Sequence, residues 1–449
     1  MQPLPFVFTS SKPKSAPSSA GRLINLFAEI NPDGAKFPYT LYGVPGRKTF
    51  ATVGGGPFRA MTRLGESLYV ASGPGVYRVL SDGTTTLLGT ISTVDPVYMA
   101  ASKTEVAVAA GGLGYIATTT ALTQIADADF PANVATVTHF DGYFIWTRIN
   151  SGTFNISAVN DGTAYDALDV ASNEAHWDNT TRAFANRREV WFFGEKTTEI
   201  WYNSGDATFP FERLSGAVMQ KGTSNPFSIV EADNTVIWVG DDFAVHRANG
   251  YVPQRISTPA VEKDTTGVSG IEAFSYSQMG HQFYVMKVPG IATWAYDFAT
   301  GLWHERKTQG SATWAPVYGE EIWNKVIVGH DSTLSELDFG THDELGAEII
   351  ARATTAPIGN VNKFTIPRIQ LDIEPGVGLG TGQGSDPQVM MKSSKDGGKT
   401  WGPEKWRSFG KIGEYQKRAL WHRNGQFRSA IFDFTISDPV GRAIQGMYG

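Results

Sequence analysis

The sequence predicts an all-β protein: a β-propeller of seven blades, with six also compatible, preceded by an extended N-terminal arm and followed by a small β-sandwich-like domain. Three observations carry that reading. Glycine (49) and proline (23) are abundant in the 449 residues while only 18% are charged, below the ~25% of an average globular chain, which is the balance of a turn-rich, sheet-dominated fold. Short β-branched and aromatic runs are broken by Gly, Asp, Asn or Ser at the roughly 8-to-12-residue spacing of antiparallel strands. A unit of turn, apolar strand, turn and second strand recurs at intervals near the ~40 to 45 residues of a four-stranded propeller blade.

Residues 1–50 precede the repeats. Met1–Gly21 has prolines at 3, 5, 13 and 17 and a Ser/Lys-rich continuation. Proline forbids a helix there and little is available to bury, so an extended arm that adds nothing to the core is expected. The stretch from Gly21 to Phe50 alternates well enough for an edge strand and a hairpin. The N-terminus lacks the charged start and apolar run of a signal peptide, and no uncharged apolar stretch reaches the ~18 residues of a membrane span.

Residues 51–344 hold the repeats, at 65–83, 103–120, 140–162, 186–206, 232–251, 280–303 and 324–340. The last is ragged, which is why six blades stay compatible. One such sheet cannot bury both faces alone; radial stacking covers each sheet with its neighbours, and ring closure leaves only short edges. Trp191, Trp201, Trp238, Trp294 and Trp303 are accordingly expected in inter-blade core or at the rim.

Residues 345–449 change character, with strand-like runs such as FTIPRIQLDIE and RSAIFDFTIS between loops and a Gly-rich loop at 376–386 expected to be flexible unless a partner orders it. Residues 390–449 carry eleven Lys/Arg against five Asp/Glu, leaving the remainder at a net −12. An acidic body with a basic end implies two functional surfaces.

Candidate chemistry is sparse. Cysteine is absent, which removes disulfides, thiolate metal sites and a cysteine nucleophile. His330-Asp331 and His342-Asp343 are read as turns that close strands, so neither a metal nor a cofactor is expected, and no catalytic residue is assigned. Ser394, Asp396, Gly398, Thr400 and Trp401 match an Asp-box, S-x-D-x-G-x-T-W, whose role is structural: the carboxylate accepts backbone amides inside a turn. Sialidases repeat such boxes on several blades, whereas this chain has one, outside the repeats.

Two segments together resemble the packaged-DNA stabilisation, or tail hub, family of short-tailed bacteriophages. The first is GRLINLFAE, with Arg22, Asn25 and Glu29 at the family's positions, followed by GVPG. The second runs from Ser393 to Val440 and contains the D-G-G-x-T-W of the box, then Gly410, Gly413, Tyr415, Trp421, Arg423, Gly425, Asp438 and Pro439. Lys411-Ile412 and Asn424 depart from the family pattern without changing its turns. The resemblance implies a virion protein, assembled in the host cytoplasm, that forms a ring of six subunits and extends the portal and head-to-tail adaptor. It implies retention of packaged double-stranded DNA without sequence recognition, attachment of a tail spike, fibre or needle, and no enzymatic activity. An acidic body is expected to give the DNA a weakly repelling wall. The alternative is a virion-associated carbohydrate-binding or glycan-cleaving propeller.

Overall fold

Seven four-stranded antiparallel sheets surround a common axis in the computed structural model, which describes residues 2–11, 21–92, 96–173 and 177–449. Blade one consists of Phe58–Leu64, Ser67–Ser72, Gly75–Val79 and Thr85–Thr90. Blades two to six begin at Val97–Ala101, Val134–Phe140, Thr180–Asn186, Val230–Ala232 and Glu272–Gln278, and each continues strand by strand outward. The first strand of a blade faces the axis and touches the first strand of the next blade around most of the ring. Between blades four and five the link is Arg182, which donates to the carbonyls of Pro226 (2.8 Å) and Ile229 (3.2 Å).

The apolar run Val106–Ala110 shows why a blade needs two neighbours. All five residues are buried. Val106, Val108 and Ala110 pack into the interface with blade one, while Ala107 and Ala109 pack into the interface with blade three. Strand alternation sends successive side chains to opposite faces, and a strand covered on both faces has no polar side. The five tryptophans assigned to core or rim are all buried, from Trp238 and Trp294 at 0% exposure to Trp201 at 8%.

Blade seven explains the ragged last repeat. Its chain supplies only Tyr318–Ile322, Lys325–His330 and Thr333–Asp338. The outer strand is Gly46–Thr52, which pairs antiparallel with Thr333–Asp338 in a register that sets Ala51 against Leu334 and Arg47 against Leu337. The expected boundary at residue 50 falls inside this strand.

Beside blade six stands the sandwich. One sheet runs Leu26–Ile30, Tyr39–Gly43, Ala443–Tyr448, Arg368–Ile373, Ala419–His422, with Pro3–Leu4 added against Ala443–Tyr448. The other runs Arg22–Ile24, Ala351–Thr354, Gln426–Ile436, Gln388–Ser394, Lys405–Ser408. Leu23, Leu41, Ile369, Trp421, Phe432 and Phe434 fill the space between them. Arg22–Ile24 also pairs in parallel with blade six's outer strand, Leu302–Arg306, so one sheet continues from the propeller axis into the sandwich.

The N-terminal segment corrects the expectation of an arm with nothing to bury. Val7 is 5% exposed and lies in the sandwich core, with Phe6 and Phe8 packed against that core. Phe6 meets Phe434 and Phe8 meets Tyr39. Three adjacent apolar residues between Pro5 and Ser10 are enough to dock an extended strand once a second sheet lies beneath it. Residues 12–20, the rest of the expected arm, lie outside the described residues. The Gly-rich loop at 376–386 is likewise held by its own chain: Leu379 donates to Gly384 (2.8 Å), and Gly376 packs on the Tyr415 ring and Gly378 on the backbone of Lys411 and Ile412.

Deleting residues 1–11 is therefore expected to destabilise the protein by about 3 to 5 kcal/mol, given ~1.5 to 3 kcal/mol for each large apolar side chain lost from cover. Thermal denaturation of the truncated chain checks this; an unchanged melting temperature would contradict docking.

Candidate functional site

The seam between propeller and sandwich concentrates the buried charge of the molecule. Its scaffold is the segment Arg22–Ile30. Leu26 and Ala28 point into the sandwich core, whereas Phe27, on the opposite face of the same strand, enters the propeller-side cluster with Tyr276, Phe283 and Trp314. A single β-strand thus belongs to two cores, as its period of two dictates.

Arg22 donates from Nε and Nη2 to both carboxylate oxygens of Glu305 (2.8 and 2.7 Å), and the Ser10 hydroxyl donates to the same carboxylate at 2.8 Å. Glu305 is wholly buried. A bidentate, hydrogen-bonded pair is the arrangement that makes a buried carboxylate tolerable, and the pair raises the Arg22 pKa. Asn25 sits at φ 55°, a left-handed conformation that Asn tolerates better than most residues. Its amide donates to the carbonyls of Lys307 (2.9 Å) and Ile350 (3.0 Å), and its side-chain oxygen accepts from the Lys307 amide at 2.9 Å. One side chain thereby ties blade six, the N-terminal hairpin and the entry to the sandwich together. Glu29 lies 3.6 Å from His281 Nε2, whose Nδ1 is 2.9 Å from buried Asp297.

Two histidines here respond to pH in opposite senses. The hydrogen bond to Asp297 raises the His281 pKa against the opposing effect of burial, and Glu29 adds to the rise. Burial, reinforced by Arg306, holds the His304 pKa down to about 3.

The closing strand has its own lock. Arg47 donates to the Ser335 hydroxyl (3.0 Å), and Trp314 donates from its indole to Glu344. Arg306 lies 3.6 Å above the Trp314 ring and donates to the Tyr276 hydroxyl (3.0 Å) and the Pro45 carbonyl (3.3 Å).

Aromatic rings and an arginine crowd the propeller axis. Tyr98 and Phe227 stack at 4.4 Å, with the Arg182 guanidinium 5.4 Å from the Tyr98 ring. A cavity of about 240 Å³ beside them is lined by Met61, Phe184, Tyr318 and Glu320 among others. Burial raises the Glu272 pKa and pushes Glu320 up to about 7.

The other residues singled out from sequence fall in the sandwich. Asp396 accepts from the backbone amides of Lys399 (3.0 Å) and Thr400 (2.9 Å) and from the hydroxyls of Thr400 (2.6 Å) and Ser394 (2.7 Å). These donors hold its carboxyl well below the usual range, and Gly398 closes the turn at φ 88°. Trp401 is half-buried, with the Lys392 ammonium 5.5 Å over its ring; fully buried Trp421 is the central indole, donating to the Lys405 carbonyl at 2.8 Å. Gly413 and Arg423 occupy turns at φ 83° and 57°, and Tyr415 is 73% exposed. Asp438 accepts from the Gln388 amide at 2.8 Å, and Pro439 packs beside Gly384. The motif residues therefore divide: Arg22, Asn25 and Glu29 meet at the seam, while the rest shape turns and strand ends of the sandwich.

Sequence reasoning missed Ser10, His281, Asp297, Glu305 and Arg306. The run His304-Glu305-Arg306 carried the signal, because charge inside a two-sided buried strand requires partners. Among the described residues no group of His, Asp and Glu side chains converges as a metal site would.

Residues 12–342 match the family described as bacteriophage P22 Gp10, beta-propeller, and residues 352–448 match bacteriophage P22 Gp10, beta-sandwich. The chain belongs to the bacteriophage P22 Gp10 family. That family is a structural component of the virion tail that stabilises packaged DNA. No curated protein matches the chain. Similar solved structures include the computationally designed Ika8 protein, at 15% identity and TM-score 0.42 over 71% of this chain and 100% of that one. Another is a chain of the mitotic checkpoint complex, at 12% identity and TM-score 0.44 over 69% of this chain and 95% of that one. The two Gp10 matches divide the chain near residue 345, yet the first residues of this Gp10-family protein are built into both units.

Three outcomes are expected at the seam. Arg22→Met should cost about 3 to 5 kcal/mol by removing the guanidinium from a buried carboxylate, and Arg22→Met/Glu305→Leu should recover most of that; chemical denaturation measures both. His304 is neutral in the fold but protonates in the unfolded chain below its ordinary pKa, so stability should fall as pH drops from 6.5 towards 3, and His304→Phe should flatten that fall. His281 has the opposite sign: its contribution is complete below pH 6.5 and is lost as pH rises through its elevated pKa. Melting temperature against pH for His304→Phe and His281→Phe separates them.

Proposed function

We propose that the chain assembles into a six-membered ring that continues the portal and head-to-tail adaptor channel, retains packaged DNA, and presents distal tail proteins with an attachment surface. The observation that carries this reading is the match of both structural units to a tail component that stabilises packaged DNA. The fold supports a mechanical role. A closed propeller leaves only the short outer edges of its blades unpaired, and its shared sheet with the sandwich makes the two units move together.

The DNA path lies between subunits. Within one propeller the axis holds a cavity of about 240 Å³ and the stacked Tyr98 and Phe227 rings, whereas the major groove of a duplex alone is about 12 Å wide. Contact with DNA is then made by whatever surfaces line the ring's lumen, through backbone charge and without base readout.

The test is retention. Packaged particles made without this protein should leak DNA into nuclease-sensitive form, and adding the purified chain with its adaptor should restore protection. Restoration by an unassembled monomer, or robust hydrolysis of sialosides or polysaccharides lost on one carboxylate substitution, would defeat the proposal.

A further inference from the structure

The two ends of the molecule carry opposite charge and exposed apolar side chains. Lys405–Ser408 is the last strand of the sheet that begins at the propeller axis and crosses blade six. It lies five strands beyond that blade's outer strand, roughly 24 Å at ~4.8 Å per strand. Its neighbour across the sandwich is Ala419–His422, and the two edges are joined: Arg407 donates to the Leu420 carbonyl (2.9 Å) and Trp421 to the Lys405 carbonyl (2.8 Å). Residues 405–423 contain six Lys/Arg and one Glu. Among the described residues none of those six cations is ion-paired. Trp406, Ile412 and Tyr415 stand out of this edge at 46%, 67% and 73% exposure.

Blades two and three lie three blades from blade six in either direction, so they form the opposite rim of the propeller. Residues 104–181 contain nine Asp/Glu against the single Arg148. Asp127 and Asp129 follow blade two's outer strand, and Asp161, Asp166 and Asp169 lie in the loop that leads to blade three's outer strand. The two loops touch, the Tyr165 amide donating to Asp127 at 3.1 Å. Val159 and Leu168 are 54% and 83% exposed there, and Val170 39%.

We infer that subunits contact head to tail, the basic far edge of one sandwich seating its Trp406, Ile412 and Tyr415 against the acidic, partly apolar rim of blades two and three of the next copy; the inference rests on the ring reading above. Apolar side chains rimmed by unpaired charge mark an interface. Each patch repels itself, which disfavours a two-fold contact of like on like, and the two complementary patches stand at opposite ends of the molecule, which favours a heterologous contact; such a contact generates a ring when its rotation closes. On this assignment the carboxylate excess of blades two and three sits at subunit contacts instead of along the DNA path.

A charge swap tests it. Lys417→Glu/Arg418→Glu alters one patch and Asp129→Lys/Asp166→Lys the other, at exposed positions where melting temperature should stay within a few degrees of the parent. By mass photometry of the full-length chain with its adaptor, each double variant should need at least tenfold more protein to form rings, while an equimolar mixture of the two should assemble, both of its contacts being complementary again. Trp406→Ala should weaken assembly without changing its salt dependence, whereas the parental rings should dissociate as salt shortens the screening length. Rings formed equally well by both variants, or a mixture that fails to assemble, would overturn the assignment. Persistence of the parental chain as a monomer with its adaptor would instead overturn the ring reading, and this contact with it. Loss of DNA binding by the Lys417/Arg418 variant with ring formation intact would assign the basic edge to a polyanion.

Discussion

Closure of the propeller by a strand from the far end of the chain is the constraint on which the architecture depends. Blade seven has three strands of its own, and its fourth, Gly46–Thr52, arrives almost three hundred residues earlier in the sequence. Until that pairing forms, the outer edge of blade seven exposes the backbone donors and acceptors of Thr333–Asp338. Arg47 donates to the Ser335 hydroxyl on the neighbouring strand, a polar contact that a one-residue slip would break.

The same distant segment decides how the sandwich is attached. Arg22–Ile24 sits between blade six and Ala351–Thr354, and Leu26–Ile30 places Phe27 in one core and Leu26 with Ala28 in the other. Two units joined only by the covalent connection near residue 345 would hinge, as domains with small polar interfaces do. Here the connection is a continuous sheet, a bidentate buried ion pair and an asparagine that bonds to both sides, so a load applied to the sandwich passes into the propeller. That stiffness suits a protein whose family acts in the virion tail. The cost is a set of titratable groups in a buried seam, which makes the junction sensitive to pH at His281 and His304.

Charge in this chain is distributed along the molecule as well as along the sequence. The basic residues of the last strands lie at the far edge of the sheet, and the longest stretch nearly free of Lys and Arg forms the opposite rim of the propeller. Composition alone registers a mildly acidic protein; the fold turns that average into a dipolar body with two unlike ends.

Much of the fold was legible because its middle hairpins are two-sided and buried. The seven recurring units coincide with the second and third strands of the seven blades, where runs such as Val106–Ala110 have no polar face. Inner strands, which line a narrow axis with residues such as Arg182 and Glu320, and outer strands, which meet solvent at Thr85–Thr90 or Val252–Arg255, lack that pattern and were not seen. Turn chemistry was also local: the Asp396 turn follows from residues within six positions of one another. The seam was legible only through a family motif, since Arg22 finds Glu305 and Asn25 finds Lys307 and Ile350 across gaps of 282 to 325 residues. Periodicity reports which face of a strand is covered, and so the amino-acid sequence determined blades, turns and domain type. Which strand closes the ring, which buried charges meet, and which surfaces stand opposite one another depend on pairings between distant segments, and only the tertiary structure decided them.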